Sequence, residues 1–221
     1  NKAYANTKDE DDFLKTLADG GFQIGELAKL IYPTGIEVKA SGHEAQILET
    51  EELLKRTDVV IFEGAIRWGH LFASVDIIKK TGSHIELIEV KAKTYDPALK
   101  ELNFENKDGT ISASSNGMLP YLQDVAFQKF VFEKLSLDKG WGFNIDSFLM
   151  LCDKSVACTV DGLNQKFKLE RSGDKKKTSV VVEPGTNLST IGESILAKVD
   201  VNKYVDQILK NPIVAPGVEG Y

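Results

Sequence analysis

A mixed α/β fold, with helices flanking a central mixed sheet that contains a three-stranded antiparallel meander, is predicted by three features of the chain. The stretch Asp58–Tyr95 reads as three consecutive strands, roughly Val59–Ile66, Leu71–Lys79 and Ile85–Lys91, each rich in Val, Ile, Phe or Leu and bounded by turn residues. Apolar residues at helical spacing precede and follow that stretch. A further apolar run, Phe148-Leu149-Met150-Leu151-Cys152, lies inside Phe143–Asp153 and supplies another core strand.

Taken in order, 1–41 is an N-terminal helical segment. The polar, acidic opening Asn1–Asp12 is expected to be mobile. A short helix, Phe13–Ala18, is expected to end at Gly20-Gly21, and a second follows over Phe22–Tyr32, stopped by Pro33-Thr34-Gly35. Glu26 and Lys29 on it are either site groups or, more commonly for such a face, solvated. Residues 42–154 form the core: a helix from about Ser41 to Arg56, the meander, a long loop over 100–118, a helix opened by Pro120 and running to Lys134, then the strand to Asp153. Residues 155–211 elaborate the same domain, with strands at Phe167–Arg171 and Ser179–Glu183 around a lysine-rich turn, and helices at Thr190–Ala197 and Val201–Leu209. The Pro/Gly-rich 212–221 reads as a linker or tail, pointing to a further domain or protein partner at the C-terminus.

Composition sets outer limits. With 42% apolar and 27% charged residues, the chain of 221 residues has the make-up of a soluble globular protein. No run nears the ~18 apolar residues of a membrane span, so no membrane partner is expected. Two cysteines, Cys152 and Cys158, give no disulfide framework, which suits the reducing cytoplasm. A net charge of −6 argues against a generic nucleic-acid coat protein, because phosphate binding rests on Lys and Arg, but not against a nuclease with locally placed basic groups.

Two polar intrusions turn the meander into a candidate site. Asp76 interrupts Ala73-Ser74-Val75-Asp76-Ile77-Ile78, a poor place for a carboxylate on strand propensity. Glu89-Val90-Lys91 closes the third strand, and residues two apart share a face, so Glu89 and Lys91 point the same way. If Gly82-Ser83 is a two-residue hairpin turn, Thr81 pairs with His84 and Asp76 falls opposite Glu89; a longer loop would shift that register. Opposed Cβ atoms lie about 4.5–5.5 Å apart. Two carboxylates so placed repel and are costly to bury, and a divalent cation between them removes both penalties. Carboxylate, carbonyl and water oxygens suit Mg²⁺ or Mn²⁺, so Asp76, Glu89 and the Val90 carbonyl are the expected metal ligands. An amine at Lys91 would orient an attacking water or stabilise developing negative charge. Glu63, inside Phe62-Glu63-Gly64, either points into this site from the neighbouring strand or faces solvent at a bulge. The lysines at 79, 80, 91, 93 and 100 cluster in sequence near it, while Arg67 and His70 decorate the first hairpin turn.

Asp-x12-Glu-Val-Lys on a hairpin, within the order helix, three-stranded meander, helix, strand, resembles the PD-(D/E)xK nuclease superfamily, and more closely its RecB- and Cas4-like exonuclease branch. The resemblance covers about Gly42 to Asp153. It implies a restriction-endonuclease-like core and a metal-dependent deoxyribonuclease, exonuclease-like, with DNA favoured over RNA as partner. In that group the helix before the meander supplies another metal-site residue; His43, Glu44 and Glu49 are the candidates here, and Glu44 is carried forward. The group's Gln-x-x-x-Tyr signature falls on Gln128, with Phe132 in place of the tyrosine, so Gln128 is an expected catalytic and substrate-orienting residue beside the phosphate contacts Lys93 and Arg67. Cas4-type relatives carry four cysteines for an iron–sulfur cluster; two cannot hold one, so no cluster is expected. With no base-reading module in view, sequence selectivity should be weak. The alternatives are a noncatalytic nucleic-acid- or protein-binding member of the same fold, or a hydrolase of another phosphate ester.

Overall fold

The computed structural model describes residues 12–99, 104–112, 117–172 and 177–210. Most of the expected opening segment, the 212–221 tail and most of the lysine-rich turn after Ser172 lie outside them.

Six strands form one mixed sheet in the order β1 (Ile36–Glu37), β2 (Asp58–Trp68), β3 (Leu71–Thr81), β4 (His84–Tyr95), β5 (Asn144–Asp153) and β8 (Leu196–Asp200). β2, β3 and β4 are the antiparallel meander; β1 joins β2 and β5 joins β4 in parallel, and β8 closes the edge antiparallel to β5. A separate hairpin pairs β6 (Phe167–Ser172) with β7 (Lys177–Val182). The helices are α1 (Asp12–Leu30), α2 (His43–Leu53), α3 (Leu119–Asp138) and α4 (Asn202–Lys210). A helical crossover, α3, joins the parallel strands β4 and β5, as parallel pairing requires.

One sheet face packs Val59, Ile61, Val75, Ile78, Ile85 and Leu87 against Leu53 and Leu54 at the end of α2 and Val131, Phe132 and Leu135 of α3. The same side continues where Leu149 and Leu151 meet Leu122 and Val125 of α3 and Tyr204 and Val205 of α4. On the opposite face Phe62, Ile77, Ile88 and Met150 receive Leu27 and Ala28 of α1 and Phe167 of the hairpin. These side chains are almost wholly removed from water, each worth roughly 1.5–3 kcal/mol in burial.

Several expectations are corrected. The two N-terminal helices are one: α1 runs through Gly20-Gly21, neither of which takes positive φ. Two mid-helix glycines cost about 1 kcal/mol each relative to alanine, and the docking of Leu27 and Ala28 on the sheet outweighs that. The helix expected at Thr190–Ala197 does not form. Gly192, at φ 73°, breaks it, and Leu196–Asp200 pairs along β5 instead, burying Leu196 and Val199. Within the expected long loop, Glu105 bridges Ile111, and Phe104 is fully buried, stacked on Tyr204 at 5.0 Å.

Candidate functional site

The hairpin turn has the assumed length. Thr81 pairs with His84, and the ladder runs to Ile77↔Ile88. Asp76 and Glu89 occupy the next rung, and there β3 and β4 part. Asp76 Oδ2 accepts the backbone N–H of Val90 at 2.7 Å, so the aspartate side chain satisfies this amide beside the broken rung. The strand tolerates an acid at this position because the acid itself takes up a backbone donor.

The disturbance extends into β2. Phe62↔Ile77 and Gly64↔Val75 are paired, and Glu63, facing Asp76 between them, has φ 55°. The side-chain alternation flips at this rung: Ile61 and Ile66 reach the same core, as do Val75 and Ile78. The Ala65 N–H is taken by Thr50 Oγ1 of α2 at 2.9 Å. A Cβ at Gly64 would stand 2.5 Å from Cδ1 of the buried Ile78, whose side chain would have to shift to admit it.

Glu89 and Lys91 share the α3 side, as alternation predicts. Glu89, 7% exposed, receives Lys91 Nζ on Oε1 at 2.7 Å and Gln128 Nε2 on Oε2 at 2.7 Å. Gln128, 6% exposed, also donates to Ser74 O at 3.2 Å, tying α3 to both strands. Lys91 lies 3.5 Å from Asp124 and 5.5 Å above the Tyr121 ring. Burial works against its charge, but Glu89, Asp124 and Asp76 together hold its pKa above the ordinary value. For Asp76, burial first and the charge of Glu89 second push the carboxyl up to about 7; the Val90 amide pulls it back, Glu63 adds to the rise and Lys91 opposes it.

On the α1 side Asp76, Val90 and Glu63 line a cleft of about 660 Å³ with Glu26 and Lys29 of α1, Glu37 of β1 and Gln46 of α2. Lys29 Nζ contacts Glu26 at 2.8 Å, Glu37 at 2.7 Å and Glu63 at 3.5 Å. Burial raises the Glu63 carboxyl, and Lys29 offsets only part of the rise.

The remaining expected residues sit elsewhere. Glu44 and Arg67 pair with each other at the surface through two contacts, one of 2.9 Å, and neither lines the cleft. Glu49 caps the backbone N–H groups of Lys39 and Ala40, and His43 stacks on Phe72. Gln46 is the α2 residue that reaches the cleft. Lys93 is half-exposed in a register shift between Lys91 and Thr94. Lys79 pairs with Glu86, and Lys80 holds the carbonyls of Arg56 and Thr57 towards the far end of β3, so these two lysines do not join the cleft. Lys100 lies outside the described residues. Phe132 is fully buried in the core, where a tyrosine hydroxyl would need a partner. Sequence reasoning missed Glu37 and Gln46, which carry no local signal and reach the cleft through β1 pairing and the docking of α2.

As the side chains stand, no three His, Cys, Asp or Glu among the described residues form a ready-made metal-ligand group. The oxygen donors are of the kind a hard divalent ion takes: two largely buried carboxylates on neighbouring strands, Asp76 towards the α1 cleft and Glu89 towards α3, the first with its proton affinity raised by burial and then by the charge of the second. Gln128 Oε1, buried beside Glu89 without a hydrogen-bond partner, can accept from the water of a hydrated ion.

These features define a mixed α/β protein with a six-stranded sheet and an acid-rich break in its meander. The chain matches no family model, no curated protein and no solved structure. No helix among the described residues is long and apolar enough to cross a membrane.

Proposed function

We propose that the protein is a divalent-metal-dependent nuclease that hydrolyses DNA phosphodiester bonds, exonuclease-like and with weak sequence selectivity. One observation carries this reading: Asp76 and Glu89 directly follow the last paired rung, Ile77↔Ile88, of adjacent strands, with Lys91 Nζ 2.7 Å from Glu89. Support comes from the order α2, β2–β4, α3, β5 with β4 parallel to β5, which is the order of a restriction-endonuclease-like core.

Asp76, Glu89 and the Val90 carbonyl would hold Mg²⁺ or Mn²⁺. Such an ion neutralises the paired carboxylates and polarises a phosphate. Lys91, kept charged by its acidic neighbours, orients the attacking water or stabilises charge developing on the phosphate oxygens. Gln128 fixes Glu89 and keeps its second oxygen from turning away. Lys93, two residues beyond Lys91, offers a charge to the nucleic-acid backbone, and RNA is an alternative substrate. Arg67 would reach a phosphate only by leaving Glu44.

The test is degradation of end-labelled single- and double-stranded DNA in Mg²⁺ or Mn²⁺. Wild type should cleave, and Lys91→Ala should be slower by about 10²–10³-fold, the scale of losing one charge-stabilising group. A second reading, a noncatalytic binding protein of the same fold, is favoured by the engagement of Lys91 with both Glu89 and Asp124. Failure of the wild type to cleave under either ion, with retained DNA binding, would select it.

A further inference from the structure

We propose that the cavity walled by Lys55, Lys80, Lys139, Trp141 and Phe143, at the far end of β3 from Asp76, binds a nucleoside monophosphate, free or at the 5′ end of a strand; it is a site apart from the metal-binding rung and independent of that reading.

Lys80 is the anomaly. Its row of the sheet runs through Val59 of β2, Ile85 of β4 and Ile145 of β5, all buried aliphatic residues, and Lys80 itself is only 7% exposed. An ammonium buried in such a row is costly unless it meets a counter-charge. Two of its three N–H donors go to the carbonyls of Arg56 at 2.7 Å and Thr57 at 3.1 Å, and Nζ lies 5.4 Å from the centre of the Phe143 ring. Those partners carry partial charges alone. Among the described residues no carboxylate pairs with Lys80: Glu51, the acid on the cavity wall, pairs with Lys139 at 2.9 Å, and Glu86 pairs with Lys79. A third donor and a full positive charge remain on a buried side chain that lines the cavity.

The surrounding charge has the same sign. The cavity holds about 530 Å³, the size of a small-ligand site. Lys55 and Lys139 line it beside Lys80, and the exposed Glu52 that pairs with Lys55 is not on the wall. Three lysines against one glutamate make this wall basic in a chain whose net charge is −6. Lysines bind phosphate as point charges. A phosphate monoester carries about two negative charges at neutral pH, which balances the excess on the wall; an internal phosphodiester brings half of that.

The aromatic side of the cavity selects the rest of the ligand. Trp141 and Phe143 are half-buried on the wall, their ring centroids 5.2 Å apart and their planes 38° from each other. The end of α3 holds both: the Trp141 N–H donates to Ser136 O at 2.9 Å and the Phe143 N–H to Ser136 Oγ at 3.1 Å. Gly140 and Gly142, at φ 66° and 64°, turn the chain on either side of Trp141. The rings are thus in place before a ligand arrives, which lowers the cost of binding. An inorganic anion would use the lysines alone. A nucleotide uses both walls, its phosphate on the lysines and its base against the indole, a contact open to any base.

Calorimetric titration of the full chain in a chelating buffer tests this apart from any metal-dependent activity. The titrants are adenosine 5′-monophosphate, adenosine, inorganic phosphate and a short 5′-phosphorylated single strand. The monophosphate should bind about tenfold tighter than adenosine or phosphate. Lys80→Gln should weaken it about tenfold, the scale of one charge-assisted hydrogen bond. Trp141→Leu should weaken it about tenfold, the scale of one base stack, and leave phosphate binding unchanged. Loss of about threefold or more in both variants sustains the proposal. The strand binding as tightly as the monophosphate, with the same loss in Lys80→Gln, assigns the site to strand ends; weaker binding of the strand assigns it to the free nucleotide. A smaller change in either variant, or no binding of the monophosphate by wild type at millimolar concentration, overturns the proposal. Should Lys80→Gln fail to give a cooperative melt, Lys139→Gln, at a half-exposed position on the same wall, takes its place with the same threshold.

Discussion

The β3–β4 hairpin is two structures in one. From Thr81↔His84 to Ile77↔Ile88 it is a regular ladder, with Ile78, Ile85 and Leu87 buried on one face and Ile77 and Ile88 on the other. One residue further, at Asp76 and Glu89, the ladder stops, a side chain takes up a backbone amide, and the buried positions turn from aliphatic to acidic. In the regular half the aliphatic side chains gain from burial on both faces. In the broken half, burial and mutual repulsion work against the charged acids, as the rise of Asp76 to about 7 records. A stretch kept against its own electrostatics is where function is to be sought.

The contrast can be pressed by substitution. Leu87→Ala, in the regular half at 0% exposure, should lower unfolding free energy by about 2–5 kcal/mol, the usual range for a core leucine. Its Mn²⁺ affinity, measured well below the melting temperature, should not change. A loss under about 1 kcal/mol in a denaturant titration would mean that the ladder is looser than described.

Asp76→Asn should do the opposite. The folded value of about 7 lies above the ordinary 3.8, so the folded state holds this proton more tightly than the unfolded chain. The stability contributed is full below about pH 4 and is lost as pH rises through 7. Metal-free wild type should therefore weaken between those limits by an amount on the order of a few kcal/mol, and Mg²⁺ should restore part of it. The asparagine can still accept from Val90 and should flatten the slope, leaving the variant more stable than wild type at pH 8 without metal. Parallel melting curves across pH 4–8 for both proteins would remove Asp76 as the source.

The smallest effect belongs to Arg67→Ala. Its pair with Glu44 is solvent-exposed and off the cleft, so melting temperature and Mn²⁺ affinity should both stay at wild-type values. Weakened Mn²⁺ binding would return Glu44 and Arg67 to the site.

Much of this was legible in the chain because local rules and tertiary structure agree there. Period-two alternation and the Gly82-Ser83 turn give the meander and its register, and the same register puts Asp76 beside Glu89 and aims Glu89 and Lys91 together. Pro120 and a helical pattern give α3, and with it Gln128 against Glu89. Rules of that kind fail where a distant partner decides. Gly20-Gly21 reads as a helix end, yet α1 is held by docking on the sheet. Leu196–Asp200 becomes a strand because β5 offers it an open edge, which no window around residue 196 contains.

By itself, then, the sequence determined which residues intrude on the meander and which face each shares, because side-chain period and turn length are local properties. Only the tertiary structure decided that α1, β1 and α2 bring Lys29, Glu37 and Gln46 to the same cleft, that Glu44 turns instead to Arg67, and that Glu63 takes φ 55° to face Asp76. Those outcomes depend on how separate elements dock, and docking is settled by the summed burial of surfaces that lie far apart along the chain.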